Sequence, residues 1–319
     1  ADPTAAIDWP IPLAEAEISD KDRTNPALGD VTPMAPRTTL VVGARGQLGR
    51  ALVAAIPGAV GVDLPGTGAD HGLDVTDLAA VDAWPWHEHD VVVNAAAYTA
   101  VDAAETPEGR VAAWAANATA PATLARIAGR HRLTLVHYSS EYVFDGTAPD
   151  HVEDEPLSPL GVYAQTKAAG ELAVGTAQRH YLLRTSWLIG SGRNFVAIMA
   201  QLAADGVSPS VVGDQVGRLT FTDELVRATR HLLAVGAAYG TYHVSNGGDP
   251  TSWADIARRV FELSGRSPAD VTEVTTAEYG AGKQLAPRPH QSVLSLAKLE
   301  ATGFVPEPAA EALRRYLGA

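Results

Sequence analysis

The 319-residue chain contains no cysteine, which removes disulfide staples, thiolate metal sites and thiol nucleophiles from its chemistry. It has no apolar run near the roughly 20 residues of a membrane helix, and no basic-then-apolar N-terminal pattern. Neither a membrane span nor a secretory leader is expected, and the chain reads as cytoplasmic. Positive charge is scarce too: a formal net charge of −13 argues against nucleic acid as a partner, so a phosphorylated ligand would need local donors. What remains, 46% hydrophobic and 19% charged, is the composition of a globular protein held by its core. The length suits two modest domains.

Residues 1–36 stand apart. They carry seven acids and two bases, a net of −5, and prolines at 3, 10, 12, 26, 33 and 36 break every possible helix. They also start with Ala rather than Met, so this stretch is not expected to be the true beginning of a natural product. An extended tail or linker is the expectation.

From residue 38 the pattern changes. The β-branched run 39–42 leads into Gly43-Ala44-Arg45-Gly46-Gln47-Leu48-Gly49 and then an Ala/Leu-rich helix to residue 56. Glycines at a strand-to-helix turn let backbone approach a pyrophosphate and aim helix N-terminal amides at it. A second strand, 60–63, ends at Asp63, an acid placed to accept from ribose hydroxyls and to repel a 2′-phosphate. Arg45 pulls the other way, because a guanidinium pairs with that phosphate, so NADH and NADPH both stay open. Asp74 and Val75 fit beside an adenine, or else Thr76 or Asp77 simply caps a helix.

The strand 90–94 runs into Ala95, Ala96 and Ala97, small residues that leave room for a cofactor. In the helix expected over 107–131, Asn117 is either a satisfied core amide or part of a water relay to a lysine. Strand 133–137 delivers Ser139 and Ser140. Tyr163 and Lys167, four apart, share one face of a helix expected to run to residue 179. An ammonium near a phenol favours phenolate and brings it toward acid–base use. Ser140 would hold a carbonyl beside it, which makes an acid–base site needing a hydride source. Strands at 181–185 and 240–245 and helices at 222–235, 253–264 and from 308 follow, with a short strand at 271–274 and an irregular stretch over 190–217.

Strand and helix alternating at this spacing mean an α/β fold: a Rossmann-type doubly wound parallel sheet with a smaller mixed α/β substrate lobe and an extended N-terminal tail. The expected division is 1–36 as tail and linker, 37–189 plus 218–248 as NAD(P)-binding domain, and 190–217 plus 249–319 as substrate lobe.

Seven blocks make the likeness specific: GARGQLG, VVVNAAAYTAVDAAE, SSEYVFDG, YAQTKAAGE, RTSWLIG, VVGDQVGRLT and RPHQSVLSLAKLEATGF, in that order. With them residues 38–319 resemble the dTDP-4-dehydrorhamnose reductases of the extended short-chain dehydrogenase/reductase superfamily. The resemblance implies NAD(P)H-dependent reduction of the 4-keto group of dTDP-4-dehydro-L-rhamnose. Tyr163 would be the proton donor, Lys167 would tune it, and Ser140 would orient the carbonyl. Glu141 stands where that family usually has Asp, beside Tyr142 in the expected sugar contact. Ala51 stands where some members carry a metal-binding Glu, so no metal site is expected. Trp187 is a candidate sugar or thymine wall, and Arg218 and Arg288 are candidates for the diphosphate; each has a plain core or surface alternative. A noncatalytic dinucleotide-binding subunit, or another sugar-nucleotide reductase or epimerase, is the alternative function.

The tail has its own likeness. Ile7-Asp8-Trp9-Pro10, then Ile18-Ser19-Asp20-Lys21-Asp22, then Pro26-Ala27-Leu28 resemble the C-terminal end of dTDP-4-dehydrorhamnose 3,5-epimerases. This implies an upstream epimerase domain as a partner within one fused polypeptide, and no epimerase activity in the chain by itself.

Overall fold

A computed structural model describes residues 10–12, 15–26, 28–30 and 36–319. The chain divides into two units, Ala1–Arg37 and Thr38–Ala319. In the first, the described residues form one helical turn, Asp20–Thr24, and a 3-10 turn, Leu28–Asp30. Ile7, Asp8, Trp9 and Ala27 of the epimerase-like blocks lie outside the described residues.

The second unit is built on seven parallel strands: β1 (Thr38–Val42), β2 (Val60–Asp63), β3 (His71–Gly72), β4 (His89–Asn94), β5 (Thr134–Ser140), β6 (His180–Thr185) and β7 (Gly240–Val244). Their spatial order is β3-β2-β1-β4-β5-β6-β7, with every pairing parallel. The helices around it that bear on function are α1 (Gln47–Ala55), α2 (Pro107–Trp114), α3 (Ala120–His131), α4 (Val162–Val174), α5 (Phe195–Ala204), α6 (Thr222–Val235) and α7 (Trp253–Leu263).

A strand covered on both faces reads as continuous apolar sequence, and Leu40-Val41-Val42 is such a run. Leu40 and Val42 pack with Leu124 and Ile127 of α3, whereas Val41 faces Leu48 and Leu52 of α1 and Leu225 of α6. Each of these side chains contributes about 1.5–3 kcal/mol on burial. The strand order reverses at β1, between β2 and β4. Ligands of such sheets bind outside the carboxyl ends of the strands at that switch point. Gly43, Ala95 and Ser140 all stand at those ends.

Three local expectations differ from what is seen. The helix over 107–131 is interrupted by a π-helical turn, Ala115–Thr119, that carries Asn117. Tight crossing accompanies it, since a Cβ on Gly170 of α4 would lie 2.1 Å from Asn117 O. The helix bearing Tyr163 ends at Val174 rather than 179, with Gly175 as its C-cap. Residues 190–217 are not irregular: they hold α5 and the strand Ser210–Val212, which pairs in parallel with Thr272–Val274. The run Phe195-Val196-Ala197-Ile198-Met199-Ala200 is apolar on every side, so no 3.6-residue stripe marks it as helical. Asn194 caps it, accepting from Ala197 N at 2.9 Å.

Around α5 and α7 a separate core gathers Val196, Met199, Val211, Ala257, Val260 and Phe261. No helix among the described residues is long and apolar enough to cross a membrane.

Candidate active site

The glycine loop is shaped by close backbone approach. Gly43 has φ +79°, and a Cβ there would lie 2.6 Å from Ala96 N. A Cβ on Gly49 would lie 2.0 Å from Gly43 O, so α1 is pressed against the loop that precedes it. Gly46 is the N-cap of α1 and gives it no side-chain cap, so amides of its first turn have no side-chain acceptor there. Gln47 reaches Gly190, where a Cβ would lie 3.1 Å from Gln47 Oε1, while Leu48 is buried in the core.

At the end of β2, Asp63 Oδ2 accepts from Arg45 N and Oδ1 from Leu64 N, both at 2.8 Å. These bonds fix the carboxylate at the rim of the loop. The Arg45 side chain is exposed beside it. Asp74 closes its own turn, accepting from Thr76 N and Oγ1 at 2.9 and 2.7 Å, and Asp77 caps the short helix Leu78–Ala83. Val75 is buried; Ala95 and Ala96 are half-buried and Ala97 exposed after β4. The Asn117 amide is fully satisfied as a clamp: Oδ1 accepts from Tyr98 N at 2.9 Å, and Nδ2 donates to Tyr98 O at 3.0 Å and Thr166 Oγ1 at 3.1 Å.

Two devices aim α4. Its first amide, Val162 N, donates to Glu105 Oε1 at 2.8 Å, which places a carboxylate at the positive helix end. Farther along, Glu171 takes a bidentate grip from Arg184 of β6, with Nε at 3.1 Å from both oxygens and Nη2 at 2.8 Å from Oε2. Arg184 is the register partner of Ser139, so this buried pair ties the helix to the strand ends.

Tyr163 and Lys167 lie one turn apart on α4, and Lys167 Nζ donates to Tyr138 O at 2.6 Å. Burial pulls the lysine down to about 8, with Glu171 opposing. Burial pushes the Tyr163 phenol up, Glu141 adds to that, and a hydrogen bond with Ser140 works against it. The Lys167 ammonium itself is turned to a main-chain carbonyl. Tyr163 is thus held in the protonated form that donates. Ser140 Oγ donates to Glu141 Oε2 at 2.7 Å. Glu141 is 3% exposed, and burial raises its carboxyl to about 7. Nearby, Ser139 Oγ and Thr185 Oγ1 are buried without a hydrogen-bond partner.

Tyr142 links this centre to the lobe. Its ring meets Tyr163 edge-on, with centroids 5.7 Å apart, and it also lines a cavity of about 710 Å³. Phe195, Met199, Trp253, Tyr279 and Leu285 wall that cavity, and Arg288 stands at its edge beside Tyr142. Arg288 Nη2 also bonds both oxygens of Asp102 at 2.9 Å.

The other two substrate candidates sit elsewhere. Arg218 donates to Gly248 O at 2.8 Å and Leu294 O at 3.0 Å and does not line the cavity, so its guanidinium serves as a brace. Trp187 stacks behind Trp253 at 3.8 Å, and Trp253 is the wall. Trp253, Asp102 and Glu105 are site residues that pattern reasoning missed. The two acids are visible in the VDAAE block as charges in the loop that follows a buried strand; Trp253 has the look of an ordinary helix start.

Residues 37–319 match the family model described as RmlD substrate binding domain. A Streptomyces antibioticus protein named probable dTDP-4,6-dihydroxy-2-methyloxan-3-one 4-ketoreductase is 42% identical over 84% of this chain and 90% of its own. The dTDP-4-dehydrorhamnose reductase of Streptomyces griseus is 40% identical over 84% of this chain and 88% of its own. Among solved structures, the dTDP-4-dehydrorhamnose reductase of Bacillus anthracis in complex with NADP is 30% identical. It has a TM-score of 0.79 and covers 89% of this chain and 100% of that one. The Clostridium acetobutylicum dTDP-4-dehydrorhamnose reductase is 35% identical with the same TM-score, covering 88% and 98%. By sequence and by fold, the chain belongs to the dTDP-4-dehydrorhamnose reductase (RmlD) family.

Proposed function

We propose that this chain is an NAD(P)H-dependent oxidoreductase that reduces the 4-keto group of dTDP-4-dehydro-β-L-rhamnose, giving dTDP-L-rhamnose. One observation carries the reading: Ser140 and Tyr163 meet at the strand ends between the glycine loop and the cavity edged by Tyr142 and Arg288. The loop fits a dinucleotide, since Gly43 and Gly49 admit no Cβ and α1 begins without a side-chain cap. Gly43, Gly46, Gln47, Leu48 and Gly49 would hold its diphosphate. Asp63 and Arg45 would hold the adenosine ribose, near Asp74 and Val75, with Ala95–Ala97 along its path. A reduced nicotinamide there supplies the hydride. Tyr163 gives its proton to the carbonyl oxygen, Ser140 orients that oxygen, and Lys167 supplies positive charge behind the phenol. Asn117 holds the backbone behind the site.

Tyr142 and Glu141 would meet the sugar, the aromatic cavity would take the nucleotide, and Arg288 would face the diphosphate. The separate core around α5 and α7 supports the division into a dinucleotide domain, 37–189 plus 218–248, and a lobe, 190–217 plus 249–319. A cytoplasmic setting, where reduced nicotinamides and nucleotide sugars are made, suits this chemistry.

The test is oxidation of NADPH and of NADH with dTDP-4-dehydro-L-rhamnose. Turnover is expected, with Tyr163→Phe lowering kcat by about 10²–10⁴. No turnover by the wild type sinks the reading, whereas full activity in Tyr163→Phe sinks only the mechanism.

We also propose that residues 1–36 are the junction of an epimerase–reductase fusion. The ordered blocks at 7–10, 18–22 and 26–28 support this. Coding sequence upstream that lacks a cupin barrel would refute it.

A further inference from the structure

A serine hydroxyl carries one hydrogen. In Ser140 that hydrogen points to Glu141 Oε2 at 2.7 Å, while the same oxygen accepts from Tyr142 N at 3.3 Å and also meets the Tyr163 hydroxyl. An ionised carboxylate can only accept, so it holds the Ser140 hydrogen away from any carbonyl. A protonated carboxyl brings a hydrogen of its own. It can donate to Ser140 Oγ and leave the serine hydrogen free for the substrate.

We propose that Glu141 is a positioning residue that gates the reaction: its acid form turns the Ser140 hydroxyl toward the substrate carbonyl, and its carboxylate form withdraws it. The inference rests on the reading that Ser140 faces the reacting carbonyl. Only a hydrogen-bond direction changes, so no bond is made or broken at Glu141 beyond its own ionisation.

The surroundings favour such a gate. Glu141 is 3% exposed, at the end of β5. Its charge acts on Tyr163 of α4 and on Tyr142 in its own turn, neither of them a cation. Arg288 pairs with Asp102 and acts on Tyr142. Lys167 bonds Tyr138 O, with Glu171 as the charge acting on it. Buried, with the Ser140 hydroxyl only partly offsetting the lost hydration, the carboxyl is destabilised as an anion and titrates at about 7. The effect on Tyr163 has the same sign. A negative Glu141 opposes proton loss from the phenol, so the acid form helps both donors.

The experiment is the pH dependence of kcat for wild type and Glu141→Gln with a dTDP-4-keto sugar and NADPH. Infrared titration of the buried carboxyl in wild type and Ser140→Ala runs beside it. Wild-type kcat should fall about tenfold per pH unit above a midpoint near that of Glu141. Glu141→Gln, neutral throughout, should hold its low-pH rate at least one unit further. The carboxylic band of wild type should disappear across the same range, and its midpoint should rise in Ser140→Ala, which removes the donor to the carboxylate. An unchanged profile in Glu141→Gln, or no carboxylic band titrating near neutrality, overturns the gate. If the wild type turns over no dTDP-4-keto sugar, the functional reading fails and the infrared midpoints still judge the Ser140–Glu141 coupling. They also decide should Glu141→Gln not fold.

Discussion

Arg288 and Asp102, 186 residues apart in sequence, form a bidentate ion pair in which one guanidinium nitrogen bonds both carboxylate oxygens at 2.9 Å. Asp102 Oδ1 also accepts from Ala286 N at 2.9 Å. Burial would raise this carboxyl, yet the bonds from Arg288 and Ala286 outweigh it and hold it below the usual range. Asp102 therefore fastens segment 286–288 of the lobe to the loop after β4 and aims Arg288 at the cavity edge. Asp102→Asn should raise KM for the sugar nucleotide about tenfold, with kcat and dinucleotide affinity within a factor of about two to three. The pair is partly exposed, so the effect on stability should stay below about 1 kcal/mol. Equal losses in kcat and kcat/KM at unchanged KM would refute a binding role.

The close fit of α1 to the glycine loop gives a second outcome. A methyl group on Gly49 would overlap Gly43 O, at 2.0 Å, and Ala44 Cα, at 2.8 Å, both of them backbone atoms. Neither can yield as a side chain could. Gly49→Ala should lower dinucleotide affinity at least tenfold and destabilise the fold by about 1–3 kcal/mol. Quenching of tryptophan fluorescence by NADPH, with thermal unfolding of the free protein, measures both. Wild-type affinity in a folded Gly49→Ala would contradict the cradle.

Periodicity and motif spacing make much of this molecule legible in the sequence. Continuous apolar strands, the glycine turn and the Tyr163–Lys167 spacing were enough for the parallel sheet and its order along the chain. The lobe was harder. Helix Phe195–Ala204 has Gln201 as its one polar residue, so no periodic stripe in its pattern distinguishes it from an irregular buried stretch. Charge alone made Arg218 and Arg288 equivalent. Only tertiary contacts separate a guanidinium bound to Gly248 O and Leu294 O from one at a cavity edge. Helical spacing likewise brings Tyr163 and Lys167 to one face but does not say where an ammonium turns, and only tertiary contacts show Lys167 Nζ on Tyr138 O.

The tryptophan pair makes a third prediction. Trp253 lines the cavity and Trp187 stacks on its far face, 3.8 Å away and 20° from parallel. Trp187 is held at φ +44°, a region that disfavours a bulky residue, so the packing around it must fix this conformation. Trp253→Ala should raise KM for the nucleotide substrate about 10- to 100-fold, because a stacking wall is lost. Trp187→Phe keeps an aromatic support and should shift KM less than about threefold. If Trp187→Phe proves the more damaging to KM, Trp187 rather than Trp253 contacts the ligand.

Glu141 also links stability to pH. Its carboxyl titrates at about 7 in the folded chain against a reference of 4.5, so between those values the native state holds a proton that the unfolded chain has released. Stability falls with rising pH wherever the native state binds more protons. This contribution is therefore complete below about pH 4.5 and lost as pH passes through 7, a change of roughly 3 kcal/mol for a fully buried group. Lys167 has the opposite sense. Its folded value of about 8 lies below the reference of 10.5, so stability from it rises only above pH 8. Buried His89, His137 and His243 also change stability between pH 5 and 8, but equally in both proteins, so comparison with Glu141→Gln in denaturant unfolding across that window isolates the glutamate. The wild type should lose stability relative to Glu141→Gln across that window, the gap between them shifting by 2–3 kcal/mol, about the size set by this linkage. Parallel curves for the two proteins would mean that Glu141 is already ionised in the folded state at pH 5.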